Sequence, residues 1–142
     1  MDVRAVELGS RVRARGLPPA VEAIAVRGGA EVHPALAYRA QAVSAAADGP
    51  AWTVVAMSGR DDLVPLWTCG TATVFSAGDG SFLHWDAEED QPWRAWPTFA
   101  GPARHLLTDL WEDETDDAER VAVARLLLPA EQIAAALVPE DR

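Results

Sequence analysis

The chain has 142 residues, 49% of them hydrophobic, and a formal net charge of −10, which together suit one folded domain over residues 1–142. Its acidity disfavours nucleic acids and anionic membranes as partners, and no apolar run reaches the ~18–20 residues that cross a bilayer. One Cys excludes an internal disulfide, so we expect a cytoplasmic protein. As a separate expectation, the protein is a monomer or a weak homodimer.

The first third of the chain predicts three helices. The first covers residues 2–14, the second runs from Pro18 to Gly28, and the third covers residues 35–47. Proline is tolerated in the first turn of a helix and glycine is common just after the last turn, which sets the limits of the second helix. Apolar residues at helical spacing define the third.

The middle of the chain predicts an antiparallel sheet. Its segments are rich in β-branched and aromatic residues, and Asp79-Gly80 is a strong hairpin-turn signal. The predicted strands are Trp52–Met57, Leu63–Thr68, Thr71–Ser76 and Ser81–Asp86. The acidic segment Ala87–Pro97, which contains prolines and tryptophans, is interpreted as a loop.

The predicted hairpin places a histidine beside an aspartate. Because side chains alternate between the faces of a strand, we expect Val74 to share a face with Trp85, and Phe75 to share the other with His84 and Asp86. His84 and Asp86 are a candidate acid–base pair or pair of metal ligands. A metal site needs more ligands, so we interpret them as a satisfied polar pair at the sheet edge and predict no catalytic, metal or cofactor site.

The last third of the chain returns to helical periodicity. Apolar residues from Phe99 to Leu110 recur at i, i+4, i+7 and i+11, which defines one face of a helix. Asp116 is a candidate N-cap for a helix to about Leu128, and Pro129 begins the last helix. The predicted fold class is therefore α+β: a central, mostly antiparallel sheet of about four strands, flanked by N-terminal and C-terminal helices.

The order of features between Leu63 and Glu112 is similar to that of a known family. The chain reads LVPLW, then ATVFS, a Gly-rich turn, FLHWDAEED, and finally TF before the amphipathic LLTDLWED. This order resembles the SUKH superfamily, which contains a fungal cell-wall-assembly regulator and many bacterial immunity proteins. The resemblance implies a mixed sheet flanked by helices, no enzyme activity, and protein binding as the mode of action. In bacteria, the implied partner is a secreted or contact-delivered toxin.

Two acidic segments that carry tryptophans form the predicted partner-binding surface. A toxin domain that holds phosphates presents positive charge, and an acidic inhibitor is attracted to that charge. Aromatic side chains beside charges suit the centre and rim of a protein interface. The predicted contact residues are Asp86, Glu88, Glu89, Asp90, Trp93, Trp96, Trp111, Glu112, Asp113 and Glu114. We therefore expect a non-enzymatic domain that binds and neutralises a basic toxin through an acidic surface.

Other interpretations of the same residues stay open. One is that a face of the predicted hairpin is partly open and forms an aromatic binding surface, rather than being covered by helices or a loop. The carboxylates also suit solvated loops and helix ends, and the tryptophans also suit a role in holding the long loop against the domain. The second function that the sequence allows is a cytosolic regulatory or scaffolding module unrelated to toxins. The third is a small enzyme or ligand-binding protein that uses His84 and Asp86.

Overall fold

A computed structural model describes residues 2–43, 46 and 48–142, and it confirms the α+β fold class. The described residues form six α-helices, a four-stranded antiparallel sheet and two short 3-10 turns. The helices are α1 Val3–Ala14, α2 Pro19–Arg27, α3 Pro50–Ser58, α4 Ala100–Glu112, α5 Asp117–Leu127 and α6 Ala130–Leu137. The strands are β1 Val64–Cys69, β2 Ala72–Ser76, β3 Phe82–Asp86 and β4 Arg94–Trp96. None of these helices combines the length and the apolar character needed to traverse a lipid bilayer.

The sheet is a meander in which each strand pairs with the next along the chain. Its order is β1-β2-β3-β4 and all three pairings are antiparallel. The first three strands coincide with predicted strands. The fourth lies inside Ala87–Pro97, which we had interpreted as a loop; three residues are too few to show an alternating pattern.

The segment Trp52–Met57 is helical, so its prediction as a strand was wrong. It lies within α3, which begins at Pro50 after Gly49 and ends at Gly59 in the left-handed conformation, φ 69°. These are strong helix start and stop signals. The helix packs across β1, β2 and β3, and burial against the sheet outweighs the weak strand preference of its β-branched residues.

The prediction of a helix over residues 35–47 was also wrong, as far as the structure describes these residues. Only Pro34–Leu36 forms a 3-10 turn, and the chain then curls around Gly29, whose N–H donates to the carbonyl of Ala40 at 2.7 Å. Gln41 next bridges to Thr68 of β1. Ser44, Ala45 and Ala47 lie outside the described residues. A close backbone approach to a glycine therefore replaces the helix that the apolar spacing favoured.

The two faces of the β2–β3 hairpin are assigned differently from the prediction. The register pairs Val74 with His84 and Phe75 with Leu83, so His84 shares its face with Val74 rather than with Phe75. The cause is the turn: Ala77 pairs with Ser81 across three residues that end in Gly80 at φ 89°. A two-residue turn would give the predicted faces. Adding one residue to the turn shifts the register by one, which moves every side chain of the strand to the opposite face of the sheet.

Helices cover the sheet on both faces. Helix α4 crosses the face that carries His84, and Phe99 just before it contacts the rings of Trp67 and Phe82. Helix α3 occupies the opposite face, while α2 packs on β1 and also meets α5. Helices α4, α5 and α6 pack on one another. Helix α4 therefore lies between the sheet and the last two helices, and it leaves part of the His84 face uncovered.

Candidate functional site

The uncovered part of the sheet forms a cleft of about 400 Å³ beside α4. Trp67 and Val74 line it from β1 and β2, and His84 lines it from β3. Helix α4 contributes His105 and Asp109, which lie one helical turn apart. The cleft thus combines aromatic and apolar side chains with two histidines, two aspartates and two arginines, so it offers a ligand both apolar and polar surface. We name it the sheet cleft.

Two exposed aromatic residues line the sheet cleft from opposite edges of the sheet. Tyr38 is 68% exposed and lies just before Gln41, which bridges to β1. Trp93 is 54% exposed and lies just before β4, where its N–H donates to the carbonyl of His84 at 2.8 Å. Large aromatic side chains this exposed are available for contact with a ligand or partner.

Two histidines that are 21 positions apart in the sequence are neighbours in the sheet cleft. The ring centroids of His84 and His105 are 4.9 Å apart, and the ring of Trp96 lies 6.1 Å from the first and 5.5 Å from the second. Burial, with the nearby His105 as a further cause, lowers the pKa of His84 to about 4. His84 is therefore a neutral imidazole at neutral pH.

His105 is held by a segment that follows α6. Its Nδ1 lies 2.8 Å from Glu140 Oε1, and the other carboxylate oxygen of Glu140 accepts a hydrogen bond from Arg94 at 2.8 Å. The backbone N–H of Glu140 donates to Thr108 of α4 at 3.0 Å. Burial opposes ionisation of Glu140, but His105, Arg142 and Arg94 together hold the pKa of its carboxyl below the usual value. One buried carboxylate thus orients the imidazole.

The two arginines that line the sheet cleft already have carboxylate partners. Arg39 makes a bidentate pair with Asp113, at 2.8 and 2.7 Å. Arg142 donates to Asp109 at 2.9 Å and to Glu112 at 3.1 Å. Carboxylates on α4 and just after its end therefore neutralise both guanidinium groups, which leaves little net positive charge to attract an anion.

The structure separates His84 from Asp86, which we had interpreted as a satisfied pair at the sheet edge. Both lie on one face of β3, but β3 is an inner strand. Asp86 accepts hydrogen bonds from Thr71 Oγ1 at 2.8 Å and from the N–H of Glu88 at 2.8 Å, and it is buried. His84 instead meets His105. Among the described residues, no group of three or more His, Cys, Asp or Glu side chains is arranged to hold a metal ion.

The predicted contact residues fall into two exposed groups and a buried pair. Asp86 and Trp96 are buried, at 8% and 6% exposure, and they stabilise the β3–β4 segment. The exposed members of the first group follow β3: Glu88, Glu89, Asp90 and Trp93. The exposed members of the second group lie at and just after the end of α4: Trp111, Glu112, Asp113 and Glu114.

The second group forms part of a distinct surface at the junction of α4 and α5. Trp111 is 52% exposed and lies in a shallow depression. We name this surface the acidic corner; its residues are Trp111, Glu112, Glu114, Thr115, Asp116 and Asp117. Glu114 adopts a left-handed φ of 63°, and Asp116 accepts from the N–H of Glu119 at 2.9 Å as the predicted cap of α5. The backbone reversal between the helices therefore presents several carboxylates around one tryptophan.

Sequence reasoning missed most of the sheet cleft. Tyr38, Arg39, Asp109 and Arg142 carry no motif and come from three distant parts of the chain. The available signal was the i, i+4 spacing of His105 and Asp109 on a helix with an apolar face, which places a histidine and a carboxylate together.

The chain matches no protein-family model, no curated protein and no solved structure.

The stability of the protein is expected to fall between about pH 6.5 and pH 4 because of His84. In the unfolded chain His84 binds its proton near pH 6.5, whereas in the folded protein it does so only at about 4. The unfolded state thus binds more protons in this window, and the free energy of unfolding falls as pH falls. With allowance for partial exposure of the ring, we expect a loss of about 2 kcal/mol.

Urea unfolding from about pH 7 to pH 4.5 measures this loss, and His84→Gln is the matched variant because its side chain does not titrate. The pH dependence of the variant is expected to be shallower than that of the natural protein across this window. Identical slopes would show that His84 is not held neutral by the fold.

Proposed function

We propose that the chain is a non-enzymatic protein-binding domain whose acidic corner binds a basic protein. The observation that carries the proposal is an exposed tryptophan that is surrounded by carboxylates. Within the described residues, Glu114 and Asp116 form no ion pair, whereas Asp117 pairs with Arg120 at 3.5 Å and Glu112 with Arg142. A charge surplus thus remains at the surface, in a chain whose net charge is −10.

This arrangement supplies the two contributions that a specific interface needs. A large, exposed aromatic ring provides an anchor that is desolvated on binding, and such anchors contribute most of the affinity of typical interfaces. Carboxylates around the anchor accelerate association with a positively charged partner and disfavour acidic ones. The exposed group Glu88, Glu89, Asp90 and Trp93 repeats the combination on the β3–β4 segment and extends the area available to a partner.

The kind of partner follows from the resemblance to the SUKH superfamily. It implies a bacterial immunity protein, and we propose that the acidic corner neutralises a toxin domain by covering its positively charged site. A regulatory or scaffolding module would use the same surface on another basic protein. The adjacent genes distinguish these proposals, because an immunity function requires a neighbour that encodes a toxin domain and requires co-expression to restore growth. A stand-alone gene and no rescue would contradict the toxin proposal.

Binding to the toxin domain encoded by an adjacent gene is expected to depend on Trp111 and on salt. Trp111→Ala is expected to weaken affinity by about 30-fold or more, the loss typical of a central aromatic anchor. The double variant Glu114→Lys, Asp116→Lys is expected to lower the association rate about tenfold at low salt. Surface plasmon resonance at several ionic strengths measures both, and the rate should fall as salt rises.

Glu7→Lys is the matched charge control, since Glu7 is exposed on α1 and contributes nothing to the acidic corner. It is expected to leave the association rate nearly unchanged. An association rate that is independent of salt, or equal effects of the control and the double variant, would contradict the acidic corner as the binding surface.

A further inference from the structure

The sheet cleft has the properties of a ligand site that is separate from the acidic corner. Its volume of about 400 Å³ lies within the range of small-molecule sites. We infer that it binds a neutral aromatic ring that carries a hydroxyl or N–H group. This inference goes beyond the proposed function, because it concerns a different surface and a different chemistry.

Apolar and aromatic surfaces determine the shape of the ligand. Trp67 and Val74 are buried under the cleft at 3% and 2% exposure, and they form its apolar floor. Tyr38 and Trp93 rise from opposite edges of the sheet, and the ring of Trp93 meets His84 edge to face at 5.4 Å. A planar ring bound between these side chains gains edge-to-face and stacking contacts that an aliphatic chain does not.

The imidazole of His84 determines the polar group of the ligand. None of the described residues forms a hydrogen bond with its ring nitrogens, although most of the ring is removed from solvent. A neutral imidazole offers one donor and one acceptor, and a phenol hydroxyl can satisfy either. His105 adds a second nitrogen, since its Nε2 lies 3.9 Å from Asp109, beyond hydrogen-bonding distance, while its Nδ1 is held by Glu140.

The charged groups around the sheet cleft disfavour an ionic ligand, because each already has a hydrogen-bond or ion-pair partner. Asp86 is bonded to Thr71 and to a backbone N–H, and Asp109 is paired with Arg142. The remaining cation, Arg39, is bound by Asp113. An anionic ligand would therefore be desolvated without a free counter-ion, and a cationic ligand would meet only the Asp86 carboxylate, whose two oxygens already accept hydrogen bonds. A neutral ring meets neither cost.

Titration of the natural protein with four ring compounds, followed by the imidazole NMR signals of His84 and His105, tests the inference. The neutral probes are p-cresol and 3-methylindole; the charged probes are 4-methylbenzoate and benzylammonium. We expect saturable shifts with the neutral probes at millimolar concentration and binding at least about tenfold weaker with the charged ones. No saturation by p-cresol up to about 10 mM, or equal binding of 4-methylbenzoate, would overturn the inference.

Two variants locate the site, and a third variant distinguishes it from the acidic corner. His84→Phe keeps the ring and removes its nitrogens, and Ala72→Trp fills the cleft without replacing either histidine; each is expected to lower p-cresol affinity about tenfold or more. Unchanged affinity in a folded Ala72→Trp protein would overturn the inference even if His84→Phe fails to fold. Trp111→Ala is expected to bind p-cresol with the affinity of the natural protein. The acidic-corner proposal and the inference about the sheet cleft can therefore fail separately.

A fifth probe distinguishes the source of the ring. N-acetyl-tyrosinamide carries the same phenol as p-cresol, flanked by two peptide groups. Binding as tight as that of p-cresol indicates that the sheet cleft admits a tyrosine side chain of a protein. Binding of p-cresol alone indicates a free aromatic molecule. Either result supports the inference about the chemistry of the cleft.

Discussion

Replacing Gly101 with Ala is expected to destabilise the protein by about 3 kcal/mol, at the upper end of the cost of overpacking. A Cβ atom at Gly101 would lie well inside 3.0 Å of the side chain of Trp96. The indole cannot move away, because it is 6% exposed, stacks on His84 and has the Arg94 guanidinium 5.1 Å from its ring centre. The measurements are the urea midpoint and the tryptophan near-UV circular dichroism.

Gly9→Ala is the matched control, because Gly9 is also buried in a helix but has room for a methyl group. Its added Cβ would lie 3.4 Å from Val26 Cγ2, an ordinary contact. The higher helix propensity of alanine is expected to make this variant neutral or about 0.5–1 kcal/mol more stable. Equal destabilisation of the two variants would show that the close approach of α4 to Trp96 does not limit the size of residue 101.

Replacing Arg120 with Met is expected to cost about 3 kcal/mol of unfolding free energy, since buried hydrogen-bonding groups lose their partner. Arg120 is 4% exposed. Its Nε donates to the carbonyl of Leu107 at 3.2 Å and its Nη2 to the carbonyl of Leu137 at 2.9 Å, so one side chain of α5 joins α4 and α6. Methionine fills similar volume and offers no donor. Chemical denaturation measures the loss.

Arg125→Met is the control in the same helix, since Arg125 is exposed in the last turn of α5. It is expected to change stability by less than about 0.5 kcal/mol. A similar loss in both variants would mean that the effect comes from helix electrostatics rather than from the buried hydrogen bonds of Arg120.

The parts of the fold that the sequence predicted are those specified by nearby residues. Helix α4 follows from an apolar stripe, α5 from its Asp116 cap, and the first three strands from β-rich segments between turns. Two of the failures, over Trp52–Met57 and over residues 35–47, have a common cause, which is that distant contacts override local preference. Trp52–Met57 is helical because it packs on the sheet, and residues after Leu36 curl because Gly29 admits the backbone of Ala40.

The candidate sites show the same division. The exposure of Trp111 and Glu114 agrees with the sequence pattern, because a helix end rich in acidic residues is normally solvated. The sheet cleft was not predictable, since it depends on a register set by one extra turn residue and on a helix packed over it. Only the packed fold brings His84 to His105, and only tertiary contacts with Glu140 orient the second ring.

The edges of the sheet limit how the protein associates. On the β1 edge, Gln41 and Thr68 exchange backbone hydrogen bonds of 2.8 and 3.0 Å, and Pro65 in the same strand has no N–H to donate. On the other edge, β4 has only three residues and is bracketed by Pro92 and Pro97. Both features are known to discourage edge-to-edge pairing. Strand addition by another chain, and the fibrous aggregation that begins with it, are therefore disfavoured. Partners are then bound through side chains rather than through backbone hydrogen bonds of the sheet.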